Sequence, residues 1–581
     1  MTVVPGREKR QFRALVRLFA YRFFDTDLFS VHGEISSLLG QAAALMMALS
    51  FVLALTIVPR YSQAHMKPEQ IRIAAWGDQE FLISTTMAVI AVFTLLLWDA
   101  LFPDRRDCLI LGAMPVRTRT LFAAKIAALA GALGLSVVAV NSFIGLAYPF
   151  LVAPDRAGTL AVARSLGAYW AVMLLAGAFV FLVLLGVQGI AIQVLPHAVF
   201  LRWSSVLQCA AFFAVLTLYF LMPPLATPQA LAAPQNRLFY VMLAPYWFLG
   251  LFQTLTGSPN PALHVLALRA VTGFGAAAII ALLAYALAYA RQMRRTVEQS
   301  GIVPRRRMVS RGWMAVVARL ISRRPPERGI LAFMGQTLAR SRQHRLVLAI
   351  YMGLGLAWVF SEIAYALYGG SRSGQIGVDP AFESERIHLA VSLVLLFFVV
   401  AGLRVAFTIP VEVRANWLFR ITDPFPSGSW LRAARKTLLL AGLVPVLLIS
   451  AIAGAMMWPW WKVAGHCLFL AMAGLVLVEL SLKGFHKIPF TCAWLPGQGN
   501  LKLMFGIYAG LILFLADTIP RIEALALTSA RGFVVLMAVL SVAWLLVAER
   551  GRRARSQITG LQFEEQPPPV VVGLGLLPRD G

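Results

Sequence analysis

Charge is scarce in this 581-residue chain: Asp, Glu, Lys and Arg make up 13% of it, against roughly 25% in soluble domains. Acids are scarcer than bases, 26 against 52. The four cysteines, Cys108, Cys209, Cys467 and Cys492, have no paired spacing. They give neither a disulfide framework nor a zinc site. No G-x-x-x-x-G-K-[ST] occurs, so the chain lacks that phosphate-cradling loop. No H-E-x-x-H, no G-x-S-x-G and no pair of acids in mid-span supports an intramembrane enzyme. The expectation is a protein that is not an enzyme and holds no metal or cofactor of its own.

What remains is hydrocarbon. Hydrophobic residues reach 59%, with a mean hydropathy of +0.75, which predicts an all-α, polytopic integral membrane protein embedded in the lipid bilayer. The net charge of +26 raises the question of nucleic acid. The bases flank apolar runs instead of covering a soluble domain, so no nucleic-acid partner is expected.

About twelve runs meet the length of roughly 17 to 25 apolar residues needed to span. They lie near 36–58, 81–98, 126–150, 169–192, 206–222, 264–290, 346–368, 389–407, 437–457, 463–482, 503–519 and 532–547. Phe12, Leu15, Val16, Phe19 and Phe23 recur at helical spacing among Arg10, Arg13 and Arg17, which predicts an amphipathic helix on the membrane surface. The opening segment is not read as a secretory signal. The expected organisation is an N-terminal amphipathic segment 1–35, a six-helix half 36–290, a basic linker 291–345, a second six-helix half 346–548 and a tail 549–581. With the N-terminus in the cytoplasm, roughly 39 of the 52 bases fall on the inner side. This predicts a multi-pass cell-membrane (inner-membrane) protein with both termini cytoplasmic.

Residues 115–125, PVRTRTLFAAK, and 426–436, PSGSWLRAARK, share a proline, a basic patch and a lysine at one spacing. Pro115, Ala123, Lys125, Ala130 and Gly131 align with Pro426, Ala434, Lys436, Ala441 and Gly442, and the first three spans of each half follow the same offset of about 310 residues. The pattern reads as an internal repeat with parallel halves. Between the second and third spans, Asp104 is a good N-cap, Asp107 follows three residues on, and Gly112 can close two helical turns before Pro115. In the second half Pro410 opens a helix carrying Glu412, Arg414, Trp417 and Arg420, which Asp423-Pro424 ends. Lys125 and Lys436 sit where a span meets the headgroups and read as snorkelling anchors.

This arrangement resembles the permease subunits of type-2 ATP-binding-cassette exporters. The residues that carry the likeness are the basic helix before the first span, PDRRD after the second and PVRTRTLFAAK entering the third, over residues 10 to 290. The resemblance implies a coupling helix after the second span, docked on cytoplasmic ATPase subunits that bind the ATP. The coupling residues would be Asp104, Arg105, Arg106, Asp107, Arg117, Arg119 and Lys125, and in the second half Glu412, Arg414, Arg420, Arg435 and Lys436. It also implies short re-entrant helices at LAPYWFLGLFQTLTG, residues 243–257, where Tyr246, Trp247 and Phe248 suit an outer aromatic belt. Family members typically have six spans and pair as dimers; here one chain would supply the whole pathway. The second half has a short Pro520–Arg531 segment and a long loop, KGFHKIPFTCAWLPGQGN, that reads as packed; His486 and Cys492 make only two metal ligands.

Two other functions compete. An ion-coupled secondary transporter needs ionisable groups in mid-membrane. Arg404 lies near the inner end of its span, Glu362 toward the outer half of its own, and Glu479 four residues before Lys483, a helix-surface pair. Asn141, Gln188 and His466 read as interhelical hydrogen bonds. The third function is a non-transporting scaffold that docks a soluble protein.

Overall fold

The computed structural model describes residues 5–24, 35–62, 68–98, 101–102, 116–152, 158–223, 225–298, 316, 318–368, 380–411, 429–483, 488–491, 511 and 514–556. Among them there is no strand. The protein is an all-α polytopic membrane protein. Eleven described helices are long and apolar enough to cross a bilayer, or twelve if one sharply bent pair is a single span. Helices are what such a composition demands, because hydrocarbon offers no partner to backbone amides and carbonyls. The expected run at 503–519 lies largely outside the described residues.

The chain divides into two compact units, 1–305 with 363–370, and 306–362 with 371–581. The first opens with α1 (Pro5–Phe24), followed by α2 (Ile35–Ser62), α3 (Pro68–Leu96), α4 (Thr118–Asn141), the short α5 (Ile144–Val152), α6 (Gly158–Val194) and α7 (His197–Phe220). Three short helices come next, α8 (Pro228–Ala232), α9 (Arg237–Met242) and α10 (Ala244–Thr256), before α11 (Pro261–Glu298). The apolar stripe of α1 forms as its periodicity predicts, but it covers protein: Leu15 and Phe19 are buried in a cluster with Leu101, Phe102, Leu121 and Tyr285.

Segments Pro234–Met242 and Ala244–Thr256 meet at 98°, the bend of a broken span or a re-entrant loop, and α10 packs against α3, α6 and α11. Gly257, at φ 96°, closes α10 with the left-handed turn that glycine adopts freely. The aromatic belt expected here is instead core. Tyr246 and Phe248 are buried, Tyr246 donates its hydroxyl to Pro223 O, and Trp247 Nε1 donates to Tyr240 O at 2.9 Å.

The second unit holds α12 (Pro325–Arg340), α13 (Arg342–Tyr368, up to residue 362), α14 (Pro380–Ala406), α15 (Ser429–Leu438), α16 (Val444–Ala455), α17 (Trp460–Ser481), α18 (Ile519–Leu527) and α19 (Ala530–Ser556). A π turn at Leu439–Leu443 joins α15 to α16, and another at Phe514–Thr518 leads into α18. Between α13, α14 and α16 lies an apolar cavity of about 350 Å³, walled by residues such as Leu356, Leu395, Val446 and Met457. Its two serines, Ser392 and Ser450, satisfy each other at 2.9 Å.

Candidate functional site

The last carbonyls of a helix have no partner within it, and in an apolar interior each needs a donor from elsewhere. At the end of α3 and in the residues just beyond it, four carbonyls accept from side chains on four different helices. Gln208 Nε2 on α7 donates to Leu95 O at 2.6 Å. Gln188 Nε2 on α6 donates to Trp98 O at 2.8 Å. Tyr285 OH on α11 donates to Leu101 O at 3.0 Å, and Lys125 Nζ on α4 donates to Phe102 O at 2.8 Å. Trp98 Nε1 adds a bond to Ser204 Oγ at 3.0 Å. The chain leaves this buried rim directly into segment 103–115. α10 meets α3 further toward its N-terminal half, where Gln253 donates to Gln79.

Lys125 therefore does not snorkel. It is 3% exposed, its ammonium 5.6 Å from the Phe19 ring centroid, because α1 lies over it and Phe102 O is within reach. Lys125→Met keeps the side-chain length and leaves that carbonyl without its donor. The expected cost is about 1–3 kcal/mol, measured as a lower midpoint in thermal unfolding of the purified protein. Arg117, at the N-cap of α4, and Arg119, in its first turn, are both exposed beside the rim. Asp104, Arg105, Arg106 and Asp107 lie outside the described residues, as do Glu412, Arg414 and Arg420.

The end of α14 is held in a comparable way. His344 Nε2 donates to Ile409 O at 2.9 Å. A carbonyl only accepts, so Nε2 carries the proton, and in the neutral ring Nδ1 accepts from Ser341 Oγ at 2.6 Å. Arg404 Nε caps Ser481 O at 2.7 Å. Phe490, at φ 67°, takes Phe407 O and gives its own carbonyl to Val411 N, both at 3.0 Å. The described part of the long loop, 488–491, is thus packed, its Ile488, Phe490 and Thr491 all buried. His486 and Cys492 lie outside the described residues, among which no cluster of three metal-ligating side chains occurs.

Lys436 and Arg435 are engaged within the second unit. Lys436 Nζ lies 2.6 Å from Glu327 Oε1 and 2.9 Å from Ile321 O. Arg432 reaches the other oxygen of Glu327 at 3.3 Å. Glu327 is 3% exposed. Burial works to raise its carboxyl, but hydrogen bonds from Lys436, Ser322 and Arg432 overcome this and hold it below its ordinary value. Arg435 pairs with Glu479 at 2.7 Å, an interhelical bridge where the sequence suggested a Glu479–Lys483 pair along one helix. Both repeated lysines thus end on a backbone carbonyl, at a helix that precedes the first span of their unit: Lys125 beside α1, Lys436 beside α12.

Several polar groups had no counterpart in the sequence reading. Asp78 accepts from Arg60 at 3.1 Å and from Tyr61 at 2.7 Å, and Glu80 accepts from Ser84 at 2.6 Å. Both acids lie on α3, which begins well before the run at 81–98. Asn141 behaves as expected, accepting from Tyr169 at 2.7 Å. His466 bonds to Glu523, which lies in the short Pro520–Arg531 segment. No family model, curated protein or solved structure matches the chain.

Proposed function

We propose that this chain is the membrane-spanning permease of an ATP-driven exporter, worked by separate cytoplasmic ATPase subunits through segments 103–115 and 412–428. The observation that carries this reading is the rim at Leu95–Phe102, where donors from four helices grip the chain as it enters 103–115. A push on a segment so held is delivered to α4, α6, α7 and α11 together, which a loosely tethered loop cannot do. Arg117 and Arg119 stand exposed beside that entry. The excess of bases on the same side favours a cytoplasmic rim in the cell membrane, with both termini inside. One chain with two units then supplies the whole pathway. The apolar cavity of the second unit favours a hydrophobic or amphiphilic cargo.

The test is affinity purification from native membranes, with an ATPase subunit expected in the complex. Reversal of charge at Arg105, Asp107, Arg117, Arg414 and Arg420 together is expected to release that subunit, and with it at least tenfold of the ATP-dependent flux, while the permease stays in the membrane. Normal flux in that variant rejects the coupling role. An ion-coupled carrier is the second reading, favoured by the buried Asp78 and Glu523 and the half-buried Glu80. Flux that survives ATP depletion and collapses with the ion gradient would select it.

A further inference from the structure

One buried titratable pair has no part in the coupling geometry. His466 on α17 and Glu523 on α18 are 2% and 0% exposed, with Nδ1 and Oε1 2.6 Å apart. Each keeps a second polar atom, His466 Nε2 and Glu523 Oε2, buried and without a hydrogen-bond partner among the described residues. The Trp458 ring stands edge-on to His466 at 6.0 Å and to His388 at 5.9 Å.

The charged neighbours leave the pair to balance itself. On α14, Glu385 takes the Lys462 ammonium of α17 at 2.9 and 3.0 Å. Arg386, also on α14, and Arg521 on α18 both bind Asp517 of the π turn, at 3.3 and 3.0 Å. Cys467 follows His466 along α17, and Arg531 at the start of α19 is exposed. The Arg435–Glu479 bridge lies more than three turns further along α17. α16 carries no titratable side chain. With Glu385 already committed to Lys462, and no Lys or Arg bound to Glu523 among the described residues, a bare carboxylate there would be an uncompensated buried charge. One proton shared between imidazole and carboxylate makes the pair neutral.

We propose that His466 and Glu523 form a proton-binding site that holds one proton while α17 and α18 are closed on each other and releases it when they part. On opening, the Nδ1–Oε1 hydrogen bond breaks, water solvates both groups, and above the titration range of imidazole the proton passes to bulk water, leaving a hydrated carboxylate and a neutral ring. Because each opening then releases one proton, linkage requires opening to become more favourable as pH rises. The inference does not depend on the ATPase reading.

The experiment uses the full chain in lipid nanodiscs. Hydrogen exchange of the Ile519–Leu527 amides is followed from about pH 4 to 8.5 and corrected for the intrinsic base-catalysed rate. The expected result is an opening constant that climbs, by up to tenfold per pH unit, above about pH 6.5, where a water-exposed imidazole loses its proton. Glu523→Gln keeps the shape and is expected to abolish the climb above that point. His466→Gln leaves the proton to the carboxyl alone and is expected to move the break down to about pH 4.3. A purely structural hydrogen bond would weaken in both variants without moving the break. The proposal is overturned if corrected exchange in the unmodified protein is flat between about pH 6 and 8, if Glu523→Gln keeps the climb, or if His466→Gln breaks at the original pH.

Discussion

Glu327→Ala is expected to cost about 2–3 kcal/mol and to free α12 from α15. One carboxylate there serves Lys436 and Arg432 at once, so its loss strands two cations. Removing one member of a fully buried pair costs roughly 3–5 kcal/mol. The figure here is smaller because both cations keep about a third of their side-chain surface exposed. The sign of the pH effect follows from the depressed carboxyl. Its stabilising contribution is complete above the unfolded value of about 4.3 and is lost as pH falls through the lower folded value. Acid should therefore loosen α12 in the unmodified protein, whereas Glu327→Gln should lack that part of the acid response. Protease sensitivity of the segment around Ile321, followed across pH, reads both effects.

Gly250→Val should be at least as damaging. A Cβ on Gly250 would stand 2.9 Å from Leu263 O and 3.1 Å from Ala267 N, backbone atoms of α11 that cannot rotate aside. Overpacking a core usually costs about 1–3 kcal/mol, and a collision with helix backbone belongs at or above the top of that range. The expected outcome is loss of the monodisperse peak in size-exclusion chromatography, with Gly250→Ala intermediate. Gly131→Ala is the control: nothing lies within 4 Å of its added Cβ, and alanine suits a helix interior better than glycine. A normal Gly250→Val profile would mean that α10 does not seat against α11 as described.

Spans could be read because hydrocarbon length constrains a linear run of residues directly. What could not be read depends on which helix lies against which. Asp78 and Glu80 end the hydropathy of the run that follows them, so hydropathy starts the span at Phe81, yet α3 starts at Pro68 and includes both acids. Lys125 has the position of a headgroup anchor until α1 is laid across it. Arg435 and Glu479 are 44 residues apart, and no local spacing joins them. Tyr246 and Phe248 have the composition of an interfacial belt, and only the 98° bend turns them into core. Glu523 sits in IPRIEALAL, which looks like a connection until His466 closes over it. The acids and bases assigned to coupling at 104–107 and 412–420 fall outside the described residues, so their place is a matter for the charge-reversal experiment.

The rim at Leu95–Phe102 also restricts the kinds of motion open to the first unit. A joint pinned to four separate bodies has no free axis about which to swivel. Donors on α6 and α7 hold Trp98 and Leu95 at the end of α3, and donors on α4 and α11 hold Phe102 and Leu101 beyond it. Displacement that keeps these bonds moves the bonded helices together, sliding past their surroundings by shear.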